Sequence, residues 1–222
     1  MKTLLSIGVA SVKANRVPMV VLWFVAVGLA VAYDMIPAVA EMLQPVADFQ
    51  SRRPFLAAFA NQFVFCGIIP CLFRVTVSEI RTERPILKSM CQWLWSGCWG
   101  IVYVGFYALQ GRMFGNGHDL ATLASKMAFD QFVWSPLIPV PLTAFFCLWL
   151  ESGFSFRRAA GRFRRDFIRS VWLPNLVPNW CIWIPAVLAI YAFPPPLQVQ
   201  MLGLVGSLWA LVSLKIGKNI AR

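Results

Sequence analysis

NWCIWIPAVLAIYAFPPPLQ, residues 179–198, decides how this chain is read. It holds two tryptophans, a tyrosine and a run of aliphatics, and no charge interrupts it. It also holds Pro185 and the consecutive Pro194, Pro195 and Pro196. Such apolarity belongs in a bilayer, yet proline has no N–H to donate and its ring clashes with the preceding helical turn. A proline run prefers extended geometry. The expectation is a tight helical hairpin with an uncharged tip, in which one segment closes before Pro194 and the next opens with Pro196 in its first turn. Pro174, Pro178 and Pro185 are expected to kink or shorten the first arm. From Asn179 to Phe193 that arm would measure about 22 Å, short of a full crossing.

The rest of the chain agrees with a bilayer. Of 222 residues, 59% are hydrophobic, and the mean hydropathy is +0.67; soluble domains are about 45–50% apolar. Continuous apolar runs extend over about 17–33, 55–73, 86–109, 129–150, 171–193 and 197–216. Inside lipid only helices and closed barrels satisfy the backbone, and unbroken rather than alternating apolarity favours helices. The fold class expected is all-α: a polytopic integral membrane bundle of about six segments with proline kinks, forming a single domain over 1–222. Residues 1–16 read as a short interfacial leader.

Charge placement sets the orientation. The net charge is +11. Assigning alternate loops to alternate sides puts sixteen basic residues on one side and four on the other. The positive-inside rule then places both termini on the cytoplasm-like side. No basic stripe stands apart from the membrane segments, so nucleic acid is not an expected partner. The loop RRAAGRFRRDFIR, Arg157 to Arg169, reads as a short amphipathic helix. Its Arg157, Arg158, Arg162, Arg164 and Arg165 would contact anionic lipid head groups or a partner protein, or would serve as topology anchors alone. Phe163, Phe167 and Ile168 would face the membrane. PAVAEMLQPVAD, Pro37 to Asp48, reads as a second surface helix on the opposite side.

Asp130 is the sharpest residue, because it opens an apolar span beside Gln131. A carboxylate at depth faces a cavity or a partner. Two readings stand: Asp130 lines a polar pathway or holds a kinked helix, or it forms an interfacial ion pair with Lys126 one turn earlier. Asn179, and Asn175 before it, are placed to bond across helices near Pro178. Glu151 is expected to pair with Arg157 or Arg158. Trp93, Trp95, Trp99, Trp172, Trp180 and Trp183 read as interfacial belts. Ser96 with Gly100, and Gly203 with Ser207, have the spacing that lets helix backbones approach.

Catalysis finds no constellation: there is no His–carboxylate or Cys–His arrangement and no phosphate loop. The six cysteines form no C-x-x-C pair, and the single histidine, His118, sits in a GNGHD loop. No metal and no cofactor is expected.

Several motifs, in order, resemble one family. MAFDQFVWSP, Met127 to Pro136, resembles the D-Q motif and following proline of the Mpv and Pmp membrane proteins of mitochondria and peroxisomes. WGIVYVGFYALQ, Trp99 to Gln110, is similar to that family's glycine-containing span ending in an aromatic pair. NWCIWIP, Asn179 to Pro185, is similar to its N-W-x-x-W-x-P signature. The family-like region covers 84–213. The resemblance implies a small helical protein of a mitochondrial inner or peroxisomal membrane, with channel-like permeation of small solutes or ions. A bacterial inner membrane is the alternative location. The alternative function is a non-conducting structural or assembly protein that binds lipids or partners through the arginine loop, with homo-oligomerisation left open.

Overall fold

The computed structural model describes residues 16–72, 84–166 and 173–220. All regular structure among them is helical. In chain order the helices are α1 (Arg16–Met35), α2 (Pro37–Arg52), α3 (Pro54–Gln62, continuing as a π turn over Phe63–Ile68), α4 (Pro85–Phe114), α5 (Leu120–Phe129, with a π turn over Asp130–Trp134), α6 (Pro139–Glu151), α7 (Phe156–Asp166), α8 (Leu173–Tyr191) and α9 (Pro195–Ile220). A proline opens α2, α3, α4, α6 and α9 at one of the first two helical positions, where its missing N–H costs nothing.

The uncharged stretch 179–198 forms the centre of the bundle. Ile182, Ala186, Ile190, Tyr191, Phe193 and Leu197 are each 2% exposed or less. Helix α1 packs along α8, and α3 packs against both α4 and α9. The prolines explain how the chain turns between the buried Phe193 and Leu197 with few backbone N–H groups to satisfy. A helix normally begins with four N–H groups that lack partners. In α9 the first two helical residues are Pro195 and Pro196, which have no N–H, and Leu197 N–H donates to Pro194 O at 2.9 Å. Gln198 Nε2 donates back to Phe193 O at 2.9 Å and closes the turn.

Helices α1 and α2 meet at a 102° bend, and α2 lies across α9, with Gln200 Nε2 donating to Gln50 Oε1 at 2.6 Å. Tyr33 of α1 packs on Phe193 at the tip, at 5.3 Å between ring centres. The small residues sit where helices touch. A Cβ on Gly100 would collide with Ala58 O, and one on Gly203 with the Asn61 amide. Asn61 Nδ2 donates to Val199 O at 2.9 Å across that same contact.

The expectation of about six spans is met only in part among the described residues. Two helices, Pro54–Leu72 and Leu120–Glu151, are long and apolar enough to cross a bilayer, or three if the bent α1–α2 pair is one broken span. Helix α4 is long enough, but its Trp, Tyr, Gly and Gln residues dilute its hydropathy. The described apolar part of α8, Asn179–Tyr191, is short, and the side chains of α9 are described only through residue 207. Outside the core, Phe24 (76% exposed), Ile86 and Phe55 present large apolar faces outward, a surface suited to lipid. The leader over 1–16 falls outside the described residues except for Arg16.

Two π turns shape the bundle, and each precedes a proline. Pro70 cannot donate to Cys66 O, four residues back; Ser96 Oγ of α4 donates to that carbonyl at 3.3 Å instead. In α5, Ser135 N–H reaches five residues back to Asp130 O. In that register Gln131 O faces Pro136, which has no N–H. The Trp180 indole fills the vacancy, with Nε1 donating to Gln131 O at 2.8 Å.

Candidate functional site

The α5 break turns Asp130, Gln131 and Ser135 into the bundle. All three are buried, Asp130 at 4% and Gln131 at 2% exposure. Tyr191 Oη donates to Asp130 Oδ2 at 2.7 Å. Asp130 Oδ1 accepts from Ser135 Oγ at 3.2 Å and from Gln131 Nε2 at 3.3 Å. The π turn makes the serine contact, because residues five apart overlie in that geometry. Asn179 Nδ2 donates to Gln131 Oε1 at 3.4 Å. The three polar residues singled out in the sequence, Asp130, Gln131 and Asn179, thus form one cluster. Within it the D-Q pair of α5 meets the N-W pair of α8.

The ion pair expected between Asp130 and Lys126 does not form. Lys126 is buried, its Nζ lies 5.8 Å above the Tyr191 ring, and it donates to Asn116 Oδ1 at 3.4 Å. Tyr191 stands between acid and amine, offering its hydroxyl to one and its ring face to the other. Tyr107 meets the Tyr191 ring edge-on at 5.4 Å, with Tyr103 packed beside it. Gln110 Nε2 donates to Lys126 O at 3.1 Å. Tyr107 Oη and Gln110 Oε1 are buried without a hydrogen-bond partner.

Two clefts approach this cluster. One, of about 600 Å³, is lined by Asp130, Gln131, Ser135 and Asn179 at its inner end, passes Thr143 and Cys147, and reaches Glu151. The other, of about 300 Å³, is lined by Tyr107, Gly111, Arg112, Asn116 and Pro195. Glu151 ends the Leu120–Glu151 helical column, whereas Arg112 and Asn116 lie just before its start. Tyr107 of the second cleft meets the ring of Tyr191, which bonds Asp130 of the first.

The arginine segment does form a helix, α7. Arg157, Arg158, Arg162 and Arg164 are exposed. Arg162, not Arg157 or Arg158, pairs with Glu151, at 3.6 Å between atoms that are both well exposed. The first two arginines precede α7's second turn, and one turn more brings Arg162 back toward the end of α6. Phe163 packs on Phe145 of α6 rather than facing outward. The side chains of Arg165 and Asn175, and the whole of Phe167, Ile168 and Trp172, lie outside the described residues.

Trp95 stacks on Phe146 at 4.4 Å with the rings 4° from parallel, and Trp180 and Trp183 face the site. The fully buried Tyr191 was missed in the sequence. The available signal was a single hydroxyl within the apolar run AVLAIYAF. Among the described residues no three His, Cys, Asp or Glu side chains gather closely enough to hold a metal ion. Searches against protein-family models, curated proteins and solved structures give no match to the chain.

Proposed function

We propose that the protein is a membrane-embedded helical bundle that passes small solutes or ions, with Asp130 at its constriction. The observation that carries this reading is a buried carboxylate that lines one cleft and bonds Tyr191, whose ring meets Tyr107 in the lining of a second cleft. An ionisable group is costly at depth and is kept where it serves a pathway. The full topology belongs to this reading: about six segments, with the basic loops and both termini on the cytoplasm-like side. So does its location in a bacterial inner membrane or in a mitochondrial inner or peroxisomal membrane, the latter by the resemblance to the Mpv and Pmp proteins.

The test is flux of protons, potassium, chloride and glycerol across the membrane of liposomes holding the purified protein. Flux above that of empty vesicles, lost in Asp130→Asn at unchanged thermal stability, is the expected result. No flux from folded protein would sink the reading.

A second reading has its own observation. Helix α7 presents exposed arginines at the end of α6, where anionic head groups or a partner protein would find them. A non-conducting structural or assembly role would then follow. Its expected result is vesicle binding that rises with anionic lipid content and falls in Arg157→Gln/Arg158→Gln.

A further inference from the structure

We propose that the species crossing the Asp130 constriction is the proton, handed between the two clefts by the hydroxyl of Tyr191. This rests on the permeation reading and narrows it.

The packing rules out a bulkier passenger in this conformation. Between the clefts stand two tyrosine rings in edge-on contact, 5.4 Å apart, with Tyr191 2% and Tyr107 7% exposed. A hydrated ion needs several ångströms of open bore or a ring of oxygen ligands to replace its water. Neither exists between these rings. A proton needs neither, since it moves along hydrogen bonds between groups that can both give and accept. Hydroxyls and carboxyls are such groups, and acids buried in membrane proteins serve as relays.

The required groups stand in sequence. Asp130 lines the larger cleft and bonds Tyr191 Oη at 2.7 Å. Tyr107 lines the smaller cleft and keeps a buried hydroxyl with no partner. Gln110, whose Oε1 is also buried and unpartnered, adjoins Tyr191. Two buried, unpartnered polar atoms on residues three apart in α4 mark a place where a transient partner, a water or hydronium, would be bound. The charged and titratable groups around Asp130 are Tyr103 and Tyr107 from α4, Lys126 from its own helix and Tyr191 from α8.

The transfer balances without any other reactant. The Tyr191 O–H bond breaks as its proton passes to Asp130 Oδ2, while the tyrosine oxygen takes a proton from a hydronium on the Tyr107 side, which is left as water. Tyr191 ends neutral, and the Asp130 carboxylate has become the acid. The acid then releases that proton into the larger cleft, toward Glu151. Reorientation of the Tyr191 hydroxyl resets the chain.

The experiment compares proton flux with potassium, chloride and glycerol flux in the same proteoliposomes. A pH-sensitive dye reports the interior, and valinomycin with potassium sets the driving voltage. The expected result is voltage-driven acidification that is slowed in D2O and reduced to the level of empty vesicles in both Asp130→Asn and Tyr191→Phe. Tyr107→Phe, a second variant at a site with no hydrogen bond to lose, should retain stability yet slow the flux. Solute or ion flux without proton flux would overturn the proton proposal and leave permeation standing. Absence of all flux from folded protein would overturn both. Proton flux unaffected in Tyr191→Phe, with that variant folded, would overturn the relay.

Discussion

Helix α3 breaks before Pro70, and α5 breaks before Pro136. In both, a π turn precedes the proline, one backbone carbonyl loses its intrahelical donor, and a side chain from a neighbouring helix supplies the missing bond. Ser96 serves the first and Trp180 the second. Their surroundings differ. At the α3 break Gly67 lies against the backbone of Trp93, and Gly206 against Cys66 Sγ, with no room between. At the α5 break Asp130, Gln131 and Ser135 border a cleft of about 600 Å³. The backbone irregularity is common to both, so it does not by itself make a site. The carboxylate and the empty volume make the difference.

The comparison can be broken most sharply at Gly67. A Cβ there would sit 2.9 Å from Trp93 Cα, a backbone atom that cannot turn aside. Gly67→Val should lower stability by about 3 kcal/mol, the upper range for overpacking a tight contact. Gly105→Ala, on an open face of α4 with nothing within 4 Å, should be neutral or slightly stabilising. Reversible unfolding in detergent measures both; a neutral Gly67→Val would mean that the α3 break is not close-packed.

The next effect sharpens the roles of the two donors. Trp180→Phe leaves Gln131 O orphaned beside the site and should cost about 2 kcal/mol, whereas Ser96→Ala removes a longer bond and should cost about 1 kcal/mol. Flux should suffer only in Trp180→Phe, since only that break borders the cleft. Equal flux loss in both variants would erase the distinction.

The smallest effect lies at the entry to α5. Asp119 caps the helix, accepting from Thr122 N–H at 3.0 Å and from Thr122 Oγ1 at 2.7 Å. The Thr122 side-chain bond, then its backbone bond, hold the Asp119 carboxyl below its ordinary range. Stabilisation from a depressed carboxyl is present above the unfolded-state value and lost as pH falls through the folded-state value. The melting difference between the natural protein and Asp119→Asn should therefore be present at neutral pH and close in strong acid. A difference that persisted unchanged into strong acid would show that the cap acts without its charge.

Much of this arrangement was legible in the residues. The hairpin at Pro194–Pro196 follows from the chemistry of proline, and the arginine helix from its amphipathic spacing. Asp130 drew notice because it interrupts apolarity. The meeting of Asp130–Gln131 with Asn179–Trp180 was not legible, because no local rule links positions some fifty residues apart. The π registers were hidden for a different reason. A proline announces that a carbonyl will be orphaned, but not which neighbour will serve it. The Lys126–Asp130 pairing failed because four-residue spacing assumes an ordinary helical surface, and here Tyr191 from another helix claims the acid. The six-segment count exceeds the two or three apolar spans among the described residues because polar and aromatic residues dilute α4 and the described apolar part of α8 is short.

The turn of three prolines bears on how the chain enters a bilayer. A loop that crosses a membrane ordinarily drags its hydration with it, because its peptide N–H groups must be stripped of water. At Pro194, Pro195 and Pro196 there is no N–H to strip, and there is no charge between Asn179 and Gln198. On the membrane-bundle reading proposed above, the bend between α8 and α9 would therefore add no N–H dehydration cost to insertion, and the barrier would be set by the arms.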